Sequence, residues 1–157
     1  GTGIEGIVME RRFPERSWVE GLAEKLNSDA DYARIARNWE GDLLFVIEPD
    51  GPLEERVVIF LDLWHGKCRG AGFYNKVPDR KTAYSFHGPY RNFARVLIGE
   101  WPPMQALLTR KLQVSGSMAY LARNLPTVIE FVRCCQENTT SILGQGSDDV
   151  EPSASQY

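Results

Sequence analysis

Between residues 82 and 118 the hydrophobic period changes from two residues to about 3.6, breaks at Trp101-Pro102-Pro103, resumes, and returns to two before Gly116. No all-helical or all-strand fold accommodates that succession. Tyr84 and Phe86 fall on one side of a strand, with Ala83, Ser85 and His87 on the other. After Gly88 the chain restarts at Pro89, which suits a first helical position because no N–H is needed there. Tyr90, Phe93, Val96 and Leu97 then follow one helical face as far as Gly99. The two prolines forbid helix through the break, since each fixes its own φ and biases its predecessor towards extended backbone. Met104, Leu107 and Leu108 mark a short second helix, Leu112 and Val114 alternate as a strand, and Gly116 turns the chain towards Met118, Ala119, Leu121 and Ala122. These apolar residues outnumber what two short strands and two short helices need to close a core. The stretch therefore reads as a hydrophobic binding site.

The flanking sequence completes a sheet and its cover. Pro14 is expected to open a helix with Trp18, Val19, Leu22 and Leu26 on one face, ending at Asn27. Ser28, with Asp31 three residues on, predicts a capped second helix carrying Tyr32, Ile35, Ala36 and Trp39 at i, i+3, i+4 and i+7. Residues 43–47 form a continuous apolar run between turn signals, as a strand buried on both faces requires. Residues 57–64 place Val57, Ile59, Leu61 and Leu63 against Val58, Phe60, Asp62 and Trp64. Residues 68–75 are a third strand, with one face left bare by Gly70 and Gly72. Short turns make these three an antiparallel meander, to which the later strands add. The last helix starts after Asn124-Leu125-Pro126 and buries Val128, Phe131, Val132 and Cys135. From residue 138 the composition turns polar, which predicts a flexible tail over 138–157 beyond a domain at 14–137 and an N-terminal extension at 1–13.

In Val96-Leu97-Ile98-Gly99, then Ala106-Leu107-Leu108-Thr109, then the run from Lys111-Leu112 to Gly116-Ser117-Met118, the chain resembles the sterol-carrier-protein-2-like (sterol-binding) domain family. It departs at Arg110, where the family has a small residue or glycine, at Ser117, where it has an acidic residue or Asn, and at His87-Gly88-Pro89, where a Ser or Asp opens the helix. The resemblance implies an α+β domain, a five-stranded mainly antiparallel sheet with helices on one face enclosing an apolar tunnel. It implies non-catalytic binding of a fatty acid, acyl-CoA, sterol or other lipid. On period alone, Phe73, Tyr84, Phe86, Phe93, Leu97, Met104, Leu107, Leu108, Met118, Leu121 and Phe131 serve equally as ordinary core; the resemblance makes them the tunnel lining. Arg91, Arg95, Arg110 and Lys111 are candidates to hold an anionic head group, against the plainer reading of solvated surface.

Other chemistries have less support. A net charge of −3, without a basic stripe, argues against a nucleic-acid binder. Gly66, Gly70 and Gly72 do not form the strand-to-helix loop that cradles phosphates, so no cofactor is implied. His65 and His87 lack the convergent ligands a metal needs, and no catalytic residue is assigned. A thiol enzyme using Cys68 and His65 remains a third reading, behind a protein-interaction module, as homodimer or enzyme partner, that packs its apolar groove on the partner and that an exposed Trp101 would favour. Of the adjacent Cys134 and Cys135, one is expected in the core and the other outside it. Three cysteines, no apolar run of bilayer length, no secretory signal pattern and a Ser155-Gln156-Tyr157 ending in place of a peroxisomal address point to the cytoplasm.

Overall fold

The computed structural model describes residues 9–145. The first eight residues of the expected extension and residues 146–157 of the expected tail lie outside the described residues. The chain runs β1 (Arg12–Phe13), α1 (Arg16–Ser28), α2 (Ala30–Ile35), β2 (Leu43–Glu48), β3 (Val57–Trp64), β4 (Lys67–Tyr74) and β5 (Tyr84–Pro89). It continues through α3 (Tyr90–Leu97), α4 (Pro103–Leu108), β6 (Gln113–Ser115), α5 (Met118–Arg123), α6 (Leu125–Asn138) and β7 (Ser141–Ile142).

The five long-range strands lie in the order β4-β3-β2-β5-β6. The β2-β3-β4 meander is antiparallel, as short turns require. β5 pairs with β2 in parallel, Leu43 opposite Tyr84 and Phe45 opposite Phe86, while β6 is antiparallel to β5. The parallel pair arises because residues 75–83 carry the chain back to the end of the sheet where β2 begins. Leu43, Phe45, Ile47, Ile59, Leu61, Leu63, Tyr84 and Phe86 thereby share the helix-covered face and its core. Leu44, Val46, Val58 and Phe60 form a separate small cluster on the other face. There Arg80 lies 4.1 Å over the Phe60 ring, and Glu48 accepts from Arg56 at 3.0 Å and contacts His87 Nε2 at 2.6 Å.

Local chemistry sets the helix ends, and in places differs from the sequence expectation. Pro14 precedes α1 instead of opening it, with Glu15 at the N-cap. Asp29 caps α2, its carboxylate accepting the Tyr32 N–H at 2.9 Å. Ser28 does not, because it is the last residue of α1 and donates its hydroxyl to the Glu24 carbonyl at 2.9 Å. Helix α2 also ends before Trp39, which is buried instead by stacking on Tyr84 at 5.8 Å and by a tilted contact with Tyr120 at 5.0 Å. Pro89 is the N-cap of α3, whereas Pro103 in α4 and Pro126 in α6 take first-turn positions. Gly116 has φ +133, and a Cβ there would strike the Tyr84 ring, so this turn admits only glycine. Ser117 accepts the Tyr120 N–H at 3.1 Å and caps α5, the role an acidic residue or Asn would also fill.

The C-terminal boundary drawn from composition falls inside α6. Asn138 is 2% exposed and donates to the Trp18 carbonyl at 2.8 Å, while Trp18 Nε1 donates to Thr139 Oγ1 at 2.8 Å. β7 then pairs in parallel with β1, and Tyr90 donates its hydroxyl to the Leu143 carbonyl at 2.6 Å. Residues 138–145 thus dock on the N-terminal segment through polar groups that composition alone counts as solvated. Both adjacent cysteines are buried, correcting the expectation of one outside the core: Cys134 is 0% and Cys135 6% exposed.

Candidate functional site

The helix-covered face of the sheet does not close fully. Between it and α1, α3, α4 and α6 lies a cavity of about 140 Å³. The floor is Leu43, Phe45 and Ile47 of β2, Ile59, Leu61 and Leu63 of β3, and Phe86 of β5. Phe93, Val96 and Leu97 of α3, Pro103, Met104 and Leu107 of α4, and Val128, Phe131 and Val132 of α6 form walls. Phe45 is the centre of an aromatic group, 5.1 Å from Phe86, 6.1 Å from Phe131 in parallel, and 6.3 Å from Phe93 edge-on. These rings come from four elements, β2, β5, α3 and α6, so the cavity is bounded by side chains distant in sequence.

Of the residues proposed from sequence, Phe86, Phe93, Leu97, Met104, Leu107, Leu121 and Phe131 are in this lining. The structure places the others elsewhere. Phe73 lies under the Arg16 guanidinium at 5.0 Å, and Tyr84 donates to the Ser117 carbonyl at 2.6 Å. Leu108 is 70% exposed, because Leu107 takes the inward position of α4, and Met118 packs at the edge of the core. Sequence reasoning omitted Phe45, the floor residues of β3, and Trp18, Leu22 and Tyr32. Their signals were present, in the central apolar run, the alternation over 57–64 and the first helical faces, but nothing in a period distinguishes a lining residue from a packed one.

The basic candidates divide. Arg95 and Lys111 flank Trp101 at 5.0 and 5.6 Å, and Arg95 also meets Glu100 at 3.7 Å. The Arg91 guanidinium crosses the turn at Gly51. Arg110 follows α4 with φ +62.

The thiol reading fails on geometry and protonation. Cys68 is buried, its Sγ donates to the Gly70 carbonyl at 3.3 Å, and burial pushes its pKa up. His65 Nε2 is instead engaged with Glu40 at 2.6 Å. Burial likewise raises Cys134 to about 11 and holds Cys135 well above the usual thiol value. A nucleophilic cysteine needs the opposite shift. Asp62 is paired with Arg69 at 3.1 and 3.2 Å. Among the described residues no group of three or more His, Cys, Asp or Glu side chains is placed to hold a metal ion.

The sequence model of the SCP-2 sterol transfer family matches residues 20–129, which include most of the sheet floor and helical walls of this cavity. The chain belongs to that family. It is 30% identical to a sterol carrier protein 2 of known crystal structure, with a TM-score of 0.69 over 77% of this chain and 95% of that one. A conserved hypothetical protein of Thermus thermophilus, described as possibly a sterol carrier protein, is 26% identical, with a TM-score of 0.73 over 90% of this chain and 96% of that one. The apo form of sterol carrier protein 2 from Yarrowia lipolytica is 15% identical over 76% and 90% of the two chains, with a TM-score of 0.53, and shares the fold. Among curated proteins nothing matches the sequence. The family match stops within α6, so Phe131, Val132 and Cys135 extend the lining beyond it.

Proposed function

We propose that this member of the SCP-2 sterol transfer family binds and carries a hydrophobic ligand, a fatty acid, acyl-CoA or other lipid, without transforming it. The observation that carries the reading is the cavity itself, lined almost wholly by hydrocarbon and aromatic side chains. Each methylene moved there from water contributes about 0.8 kcal/mol, so a long chain gains useful affinity without specific contacts. Met104, with its unbranched and flexible side chain, lets the α4 wall adapt to ligands of different shape. The opening lies between α4 and α6, where Met104, Leu107, Val128, Phe131 and Val132 are only half-buried, and α6 serves as the lid. Arg95 and Lys111, which converge on Trp101 just before α4, are the cations this reading assigns to an anionic head group. A cytoplasmic setting fits three buried free thiols. No helix among the described residues is long and apolar enough to cross a membrane.

Leu108 and Ile129, 70% and 52% exposed, favour a second reading in which the α4–α6 surface packs on a partner or a second copy. Native mass spectrometry followed by organic extraction separates the two. A lipid in defined ratio with the monomer supports carriage. An empty monomer that also fails to take up fluorescent fatty acids overturns it, and an empty stable dimer favours the partner reading.

A further inference from the structure

The cavity reaches the middle of the sheet and offers almost nothing polar there. Phe45 stands in β2, the central strand of five, yet is only half-buried, as are Val96, Met104, Leu107, Val128 and Phe131 in the walls. Leu22, Tyr32 and Leu61 in the same lining are closed to solvent. The space therefore descends from the α4–α6 side to the Phe45 ring. Of the polar groups in the lining, Trp18 donates to Thr139, Trp39 to the Gly41 carbonyl at 2.8 Å and Thr127 to the Ile35 carbonyl at 3.3 Å. The Tyr32 hydroxyl has no accessible surface from which to meet a ligand, and the buried Cys135 thiol is a weak donor. No lining residue is an acid or a base of the Asp, Glu, Lys, Arg or His type.

Size narrows the occupant further. A dry apolar cavity of about 150 Å³ takes one benzene ring, whereas pockets for drug-sized molecules start at about 300 Å³. At about 140 Å³ this cavity matches about six carbons of a hydrocarbon. A flexible chain can place its last carbons there and let the rest follow the half-buried residues between α4 and α6. Four fused rings cannot be divided in that way, and a sterol hydroxyl carried inwards would lose its water partners without replacement. A sterol that led with its side chain would leave its rings outside and gain no more than a short chain does. We propose that Phe45, Phe86, Phe93 and Phe131 make the cavity selective for the methyl end of a single hydrocarbon chain and exclude the rings of a sterol. The inference rests on the carrier reading and narrows it, against the ligand class that the family's description carries. Phe45 lies 5.1, 6.1 and 6.3 Å from the other three rings, so truncating any of the four returns its volume to the same space.

The test displaces a bound fluorescent fatty acid with three carboxylates: dodecanoate, 12-hydroxydodecanoate and cholesteryl hemisuccinate, whose carboxylate leaves the ring system as the part to be buried. Wild type is expected to bind the hydroxylated chain at least about tenfold more weakly than dodecanoate, because its far end arrives with an unmet hydrogen bond. The hemisuccinate is expected to be weaker than dodecanoate by at least about the same factor. Phe131→Ala, at a half-buried wall position, should bring the hemisuccinate to within about threefold of dodecanoate. Equal binding of the two dodecanoates, or a hemisuccinate as tight as dodecanoate in wild type, overturns the selectivity while leaving carriage intact. These wild-type comparisons decide the matter even where Phe131→Ala does not fold. A Phe131→Ala protein that unfolds cooperatively and still rejects the hemisuccinate overturns the role of the rings. A wild type that takes up neither the fluorescent acid nor dodecanoate overturns the carrier reading and this inference together.

Discussion

Helix α6 touches two differently built regions. On its α1–α2 side, Leu22, Leu26 and Tyr32 have no exposed surface, and a charge cluster ties the three helices together. Arg133 donates to Asp29 at 2.6 Å, Glu130 at 2.7 Å and Glu137 at 3.0 Å, and Lys25 reaches Asp29 at 3.1 Å and Glu137 at 2.8 Å. On its α4 side no such cluster is present among the described residues, and Met104, Leu107, Val128 and Phe131 are left half-buried around the cavity. One helix thus serves cohesion where polar partners fix its position and accommodation where they do not. A ligand of the proposed kind would enter on the half-buried side.

The largest effect should separate the two sides by leucine truncation. Leu26→Ala removes a fully buried side chain in a tightly packed region and should cost about 3 kcal/mol in urea unfolding. Leu107→Ala truncates a half-buried side chain, which has less buried apolar surface to lose, and should cost only about 1 kcal/mol. Equal losses would mean that the α4 side is as well packed as the α1–α2 side, and would break the comparison.

Next in size is Asp29. It caps α2 and receives Arg133 and Lys25, so Asp29→Ala should cost about 2 kcal/mol. The Arg133 guanidinium, then the Tyr32 N–H, hold its carboxyl well below the ordinary carboxylate value. A depressed folded-state pKa contributes stability that is complete above the unfolded value of about 4 and is lost as pH falls towards the folded value. Wild type should therefore lose stability below about pH 4 more steeply than Asp29→Ala. Glu48 is lowered mainly by Arg56 and Glu137 mainly by Lys25, so the variant's profile should be shallower without being flat. Identical profiles would remove the charge cluster from the account of cohesion.

On the other side, filling should do the reverse of truncating. Val128→Phe, on a half-buried wall position, should raise stability by about 1 kcal/mol while reducing fluorescent fatty-acid uptake at least about tenfold. A stabilised variant with unchanged uptake would place the ligand elsewhere.

What the sequence revealed follows from what each pattern encodes. Strand and helix identities over 84–115 were legible because Gly99, Pro103 and Gly116 punctuate them where the backbone demands it, whereas Gly88 stays within β5, which runs on to Pro89. The inward set Phe86, Phe93, Leu97, Met104, Leu107 and Phe131 was legible from period together with family resemblance. Asn138 and Thr139 were misread because a polar residue that spends its side chain on Trp18 looks the same in composition as one in water. The cap of α2 was placed one residue early, at Ser28 instead of Asp29, because two helices abut and only geometry decides which residue closes one and which opens the other. Phe45 and Tyr32 escaped because a cavity is a property of side chains from distant segments failing to meet, which no local window contains.

The smallest expected effect concerns Arg110, the residue at which the chain departs from the family's small or glycine position. It directly follows the Thr109 C-cap of α4 with φ +62, a conformation that favours glycine. Relief of that strain is opposed by the greater freedom glycine has in the unfolded chain, so Arg110→Gly should stabilise by about 0.5 kcal/mol. Its effect on ligand sharpens the division among the basic residues. With the head group held by Arg95 and Lys111, palmitate affinity should be nearly unaltered by Arg110→Gly and fall severalfold in Arg95→Gln/Lys111→Gln. Arg110→Asn tolerates the same backbone conformation without the charge, and so isolates the electrostatic part. Weaker palmitate binding in both Arg110 variants, with unchanged binding of a neutral lipid, would move the head-group contact from the Trp101 flank to the end of α4.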